Sequence, residues 1–412
     1  MRNILVFQLA RFGDLVQSKR LILSLAEAGD SKVHLCLDQD LLPLARLLYP
    51  FAELHGLPAH KKNMDANAVF TSCRKTFALF QELDCAAVYF LNFSPLSFAC
   101  AALFPPEKVF GYARVEGQDM RSRLASLAFN FLRERRFSPI NLADLWAFLH
   151  PDPIAPEKVN PIARPATTGR IGIIGSGRNA RRSLPPTVLA NCVQAVFQAR
   201  GGPELLCLGG KTEAATARAL RRELPARCAS KFQDFTGKTA LADLPDILRG
   251  LDLLITPDTG VMHLAAHLGV PVQAFFLSSA WCYETGPYGM GHSVWQAHES
   301  CSPCLESCPC PRALTCLSAF SHPAFLARLA GKHRDDWPEN LIGAVSMFDD
   351  LGVVYKTVDG NDIHSTVRRQ ARLSLAGYLG LPAAICVPAK PGAPGFLFRE
   401  KDWMLPGNWE NA

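Results

Sequence analysis

Apolar positions along the chain fall into short unbroken runs closed by turn residues, alternating with longer stretches at helical spacing. Ile4-Leu5-Val6-Phe7 is the first such run, and 33–37, 86–90 and 108–112 follow. Runs this short suit strands covered on both faces of a parallel sheet. Between the first two, the spacing predicts a helix from about Leu15 to Ala28, closed by Gly29. Further helical stretches are expected over 67–82 and 121–134. The order strand, Gly-containing turn, helix, strand is the βαβ unit of an α/β protein.

Prolines at 151, 153, 156, 161 and 165 interrupt the pattern. Proline lacks a backbone N–H and fixes φ, so this stretch reads as an extended connector. The same pattern then restarts, with strands expected at 170–174, 204–208 and 251–256. Two similar α/β halves joined by such a connector should face one another across a cleft. In open sheets of this kind ligands bind outside the carboxyl ends of the strands, which makes the cleft the expected site. The expected division is a first domain over 1–155, a second over 166–330, and a C-terminal extension over 331–412 that contains a helix near 363–379.

Composition narrows the partners. Of 412 residues 49% are hydrophobic and 19% charged, with Lys+Arg 43 against Asp+Glu 37. That balance excludes a disordered chain and gives no sign of nucleic-acid binding. No run approaches the ~20 apolar residues of a membrane span, and the start runs into Arg11 and Asp14 rather than a cleavage site, so a cytoplasmic protein is expected. A segment with basic ends, Arg121 to Arg136, reads either as an ordinary amphipathic helix or as a peripheral contact with the inner membrane. Five of the 14 cysteines lie between Cys301 and Cys316. In a reducing compartment that cluster (Cys301, Cys304, Cys308, Cys310, Cys316) suits a structural Zn or Fe, or free thiols, ahead of disulfides.

Three loops carry candidate chemistry. Asp258-Thr259-Gly260 follows a buried strand and opens a helix whose free N–H groups suit a diphosphate, although Asp258 or Thr259 could equally be a plain N-cap. Gly175-Ser176-Gly177 leads into Arg178, Arg181 and Arg182, whose planar forks suit phosphate oxygens, or form a solvated basic loop. Arg11-Phe12-Gly13-Asp14 places a carboxylate at the end of the first strand, as a general base or as the N-cap of the next helix.

In combination, these loops resemble family 9 glycosyltransferases, the ADP-heptose:lipopolysaccharide heptosyltransferases. The resemblance spans roughly residues 1–330. It also rests on Phe235-Thr236-Gly237-Lys238-Thr239-Ala240-Leu241, on His263-Leu264-Ala265-Ala266 with Leu268-Gly269-Val270-Pro271, and on Gly286-Pro287-Tyr288-Gly289. It implies the GT-B fold, two Rossmann-like domains facing across a cleft. It further implies inverting transfer of heptose from ADP-heptose to a lipopolysaccharide-core or related saccharide or glycolipid acceptor, with no cofactor for catalysis.

Residue by residue, Asp14 falls on the family's catalytic base, with Arg11 and Gly13 in the acceptor cleft. Arg182 takes the place of the family's phosphate-binding Lys, with Leu184 where a Trp is usual. Ser176, Arg178, Asp258, Thr259, Gly260 and His263 fall in the donor diphosphate site. Some protein-modifying relatives bind iron through the cysteine run, so a protein O-heptosyltransferase is the alternative enzyme. A catalytically silent sugar-nucleotide-binding protein is the alternative from another class.

Overall fold

The computed structural model describes residues 2–381 apart from 28, 62–63, 116–117, 122–123, 126, 128–130, 132–133, 178–179, 305–308 and 311. The chain forms two sheets. The first has β1 (Arg2–Gln8), β2 (Ser31–Asp38), β3 (Glu53–Leu57), β4 (Cys85–Phe90), β5 (Val109–Val115) and β6 (Gln118–Arg121), in the order β3-β2-β1-β4-β5-β6. The second has β7 (Arg170–Ile174), β8 (Glu204–Leu208), β9 (Phe232–Asp234), β10 (Leu253–Pro257), β11 (Val272–Phe276), β12 (Ser293–Ala297), β13 (Leu341–Asp349) and β14 (Gly352–Asp359), in the order β14-β13-β12-β11-β10-β7-β8-β9.

Side-chain alternation along the first strand divides the core. Ile4 and Val6 enter one hydrophobic cluster, while Leu5 and Phe7 enter another on the opposite face. Both faces are therefore buried, as the unbroken apolar run requires. In the second sheet Ile171 and Ile173 point one way and Ile174 the other. The Val6 and Ile174 sides belong to the same cluster, so one continuous core runs beneath both domains.

In each sheet the chain reverses its direction of travel beside the first strand. β1 lies between β2 and β4, and β7 lies between β8 and β10, all parallel. Such a switch point opens a crevice at the strands' carboxyl ends. The Arg11–Asp14 loop leaves β1 there, and the loops after β7 and β10 leave the second sheet at the corresponding place.

Local structure departs from the sequence pattern in three places. The helix expected from Leu15 is broken into Phe12–Gln17 and Lys19–Glu27 at Ser18, whose hydroxyl donates to the carbonyl oxygens of Leu15 (2.8 Å) and Asp14 (3.2 Å). A serine that bonds back to its own helix competes with the regular ladder. The 67–82 stretch likewise divides, into Ala66–Ser72 and Arg74–Glu82. Arg121 belongs to β6, antiparallel to β5, and much of the helix expected over 121–134 lies outside the described residues.

The proline-rich connector is tied down. Ile154 N–H donates to Ser24 Oγ (3.0 Å), Asn160 Nδ2 to the Tyr288 carbonyl (2.8 Å) and Arg164 N–H to the Gly269 carbonyl (2.9 Å). After β14, the helix Ser365–Tyr378 crosses back to the first domain. There Arg368 and Arg372 donate to the carbonyls of Arg136 (2.9 Å) and Pro139 (2.6 Å).

Candidate active site

Phe12–Gln17 begins at Arg11, whose extended backbone makes it the N-cap. Asp14 therefore sits one turn inside the helix rather than at its cap. One of its carboxylate oxygens accepts the Arg11 N–H at 3.1 Å. The loop is braced from below, where Gln8 Nε2 donates to the Asp14 carbonyl (3.3 Å) and Gln8 Oε1 accepts from Asn92 Nδ2 (2.6 Å). Gln8 and Asn92 lie at or just beyond the carboxyl ends of buried strands. Polar residues closing apolar runs were the signal that would have found them.

Facing this helix, Gly260–His267 begins where β10 ends. Thr259 is its N-cap, with Oγ1 accepting from the Met262 N–H at 3.3 Å. The threonine thus performs the capping role, and Thr259, Gly260 and Val261 of the helix's first turn line the cleft. The two helices meet end to end through glycines. A Cβ on Gly260 would lie 2.2 Å from a Phe12 ring carbon, and one on Gly13 would lie 3.2 Å from Gly260 Cα. Gly260→Ala is therefore expected to destabilise the protein by about 1–3 kcal/mol through overpacking. Thermal unfolding should show the loss, and Phe12→Leu in the same chain should restore most of it. An alanine variant that unfolds like wild type would show that this contact is not close-packed.

Both domains line one cavity of about 650 Å³, within the usual range for small-ligand sites. Arg11, Phe12, Gly13 and Asp14 form one wall, and Ser176, Gly177, Arg182, Asp258, Thr259, Gly260 and His263 form the other. Arg178 lies outside the described residues. The cavity lining also includes the apolar side chains of Ile174, Leu208 and Leu241, together with Gly209, Gly210, Thr239 and Glu213, whose carboxylate accepts the Gly210 N–H. The Phe235–Leu241 motif shapes this lining rather than charging it. Gly237 makes its turn at φ +69°, and Lys238 Nζ is engaged by the Asp234 carbonyl at 2.6 Å.

Asp258 is buried, and burial raises its carboxyl to about 6, opposed by the Arg182 guanidinium. Arg182 Nη2 stands 3.4 Å from one Asp258 oxygen, and Thr285 Oγ1 donates to the same oxygen at 3.4 Å. The Asp14 charge contributes to the upward shift as well. His263 Nε2 is 3.8 Å from the other Asp258 oxygen. Burial lowers the imidazole to about 4, so His263 is neutral at pH 7 and offers hydrogen bonds rather than charge.

The cysteine segment adjoins this site. Cys301, Cys304, Cys310 and Cys316 line a separate cavity of about 360 Å³, and Cys308 lies outside the described residues. Cys304 Sγ accepts from Arg181 Nη2 at 3.1 Å and stands 3.2 Å from Ser278 Oγ. Backbone N–H groups of Leu314 and Arg312 lower the Cys310 thiol, whereas burial raises that of Cys316. None of the described cysteines is in a disulfide. Among the described residues, the group with metal-ligating spacing is instead His34, Glu53 and His55 on β2 and β3. These residues do not line the cavity between the domains. The two imidazoles are joined by a 3.1 Å nitrogen–nitrogen contact, as in a hydrogen-bonded pair.

Arg135, expected on a solvated or membrane-facing helix, instead reaches the second domain and grips Glu284 through Nε (2.9 and 3.1 Å) and Nη2 (2.5 Å). Among the described residues no helix is long and apolar enough to cross a membrane.

Comparison with known proteins agrees with the two-domain architecture. The family model of glycosyltransferase family 9 (heptosyltransferase) matches residues 193–313. A glycosyltransferase family 9 structure from Veillonella parvula is 17% identical, covering 73% of this chain and 88% of its own, at a TM-score of 0.57. The ADP-heptose lps heptosyltransferase II of E. coli is 15% identical over 78% of this chain and 98% of its own, at 0.49. The iron-containing dodecameric glycosyltransferase TibC of enterotoxigenic E. coli is 13% identical over 80% and 75%, at 0.42. No curated protein sequence matches the chain. The family match is confined to residues 193–313, and the likeness to the Veillonella parvula structure agrees with two Rossmann-like domains facing across a cleft in the GT-B arrangement.

Proposed function

We propose that the protein transfers a heptose from ADP-heptose to a saccharide of the lipopolysaccharide core or a related glycolipid. The observation that carries this reading is the meeting, in one cavity, of a carboxylate from one domain with an arginine and a helix N-terminus from the other. In the proposed reaction Asp14 takes the proton of an acceptor hydroxyl. The oxygen then bonds to the anomeric carbon from the face opposite the diphosphate, the bond to the diphosphate breaks, and configuration inverts.

Charge accumulates on the departing diphosphate. Arg182, the Thr259 and Gly260 amides and the dipole of Gly260–His267 are placed to stabilise it, with Ser176 on the neighbouring loop. These groups let catalysis proceed without a metal. In this reading residues 1–155 carry the base and bind acceptor, 166–330 bind donor, and the 151–165 connector is the hinge. The enzyme would act in the cytoplasm, free or against the inner face of the membrane.

Calorimetric titration with ADP, GDP and UDP tests the donor. ADP should bind best, and Arg182→Ala should weaken it about tenfold or more, the scale of a lost charge-assisted bond. Preference for another nucleotide, or unchanged ADP affinity in the variant, overturns the donor assignment. Product release from ADP-heptose without acceptor would separate an enzyme from a silent binder.

Four cysteines lining one cavity support a second reading, a protein O-heptosyltransferase with a structural metal there, for which the thiols would have to draw together, since no three of the described cysteines have metal-ligating spacing. Elemental analysis of protein purified without chelator should then find Zn or Fe near one equivalent. Metal-free protein of full activity would eliminate it.

A further inference from the structure

We infer that Arg135 and Glu284, neither of which lines the donor cavity, are positioning residues that hold Arg182 for the donor diphosphate. The inference rests on the donor-site reading above. Its basis is a closed circuit of contacts. Arg135, in the short turn Arg135–Phe137 of the first domain, forks onto Glu284 of the helix Cys282–Thr285 in the second. Its Nη2 also donates to the Ser279 carbonyl at 2.7 Å. The hydroxyl of that same Ser279 accepts from Arg182 Nε at 3.1 Å. Arg182 continues to Asp258, and Asp258 accepts from Thr285, the residue after Glu284.

Two features make this circuit a device for positioning rather than a surface pairing. Glu284 and Arg135 are only 14% and 22% exposed, so their fork is shielded from competing water. Ser279 is shared, its carbonyl by Arg135 and its hydroxyl by Arg182. An arginine has many rotamers, and fixing Nε leaves the Nη groups with a defined direction into the cavity. Because Arg135 belongs to the first domain, separating the domains would release Ser279 and slacken Arg182. Donor affinity is thereby coupled to the closed arrangement.

The test is a double-mutant cycle on the full chain. Arg135→Ala should raise the Kd for ADP and the donor KM about tenfold, with kcat changed far less, as residues in one network couple strongly. In an Arg182→Ala background the same substitution should cost nothing further, because its target is gone. Arg135→Lys should fail to restore affinity, since an ammonium lacks the fork. Glu284→Gln, nearly isosteric, serves should Arg135→Ala fold poorly, and is expected to follow the same pattern. Equal losses from Arg135→Ala with and without Arg182, or an unchanged Kd in the Arg182-containing variants, overturn the inference while leaving the donor site intact. If Arg182→Ala itself leaves ADP binding unchanged, the donor-site reading fails and this inference falls with it.

Discussion

Asp14→Asn is expected to lower kcat for sugar transfer by about 100- to 10,000-fold, the usual contribution of a positioned general base, while ADP affinity stays within about twofold. Asparagine preserves the shape and can still accept the Arg11 N–H that Asp14 Oδ2 now accepts. The helix Phe12–Gln17 should therefore form as before. What is lost is the ability to remove a proton from the acceptor hydroxyl. In the proposed reaction donor contacts would come from Arg182, Thr259 and Gly260, which line the other wall, so binding and chemistry should separate cleanly. Loss of the Asp14 charge also removes one cause of the upward shift at Asp258, so that carboxyl should titrate somewhat lower in the variant. Rapid-mix transfer assays beside ADP calorimetry check both halves. Transfer at near wild-type rate would exclude Asp14 as the base. A parallel loss of ADP affinity would mean that Asp14 supports the donor site instead.

The strand ends were the most legible part of this molecule. Ile4 to Phe7 and Ile171 to Ile174 carry no polar side chain because both faces are buried, and that pattern needs no tertiary information. The loops bearing Asp14, Arg182 and Asp258 could be found for the same reason, each following such a run directly. Contacts joining distant segments were not legible. Arg135 reads as one more basic residue until Glu284 and Ser279, more than 140 positions away, are seen beside it. Nothing in the residue types announces that pairing.

Glycines illustrate the same boundary. Gly260 stood out as part of a motif, yet its reason is steric and lies in Phe12 of the other domain. β13 and β14 were missed because Leu341–Asp349 and Gly352–Asp359 mix apolar and polar positions, as expected of antiparallel strands at the margin of a sheet.

The largest expected loss of stability comes from Asp144→Ala, at about 3–5 kcal/mol, the cost of leaving a buried charge without its partner. Asp144 is fully buried on the helix Leu142–Ala147. It accepts from Arg20 Nη1 (2.6 Å), Tyr288 Oη (2.6 Å) and the Val353 N–H (2.8 Å). Gly352 makes room for it, since a Cβ there would collide with the carboxylate. Burial raises the Asp144 carboxyl and the Arg20 charge pulls it back, so the pair is held together by mutual need more than by net attraction. Removing the carboxylate leaves Arg20, itself 2% exposed, without its counter-ion and solvated by neutral groups such as the Ile154 and Leu351 carbonyls and the Phe148 ring. Tyr288 and Val353 lose their acceptor at the same time. Arg20 and Asp144 lie in the first domain, and Tyr288 and Val353 approach from the second. The variant should therefore weaken the join between the domains as well as the fold, and denaturant unfolding should broaden or divide into two steps. Arg328→Ala provides the contrast. Its 2.9 Å pair with Asp359 is 44% exposed on the arginine side and should be worth no more than about 1 kcal/mol. Equal losses from the two variants would show that Asp144 acts as a surface charge and not as the buried tie between the domains.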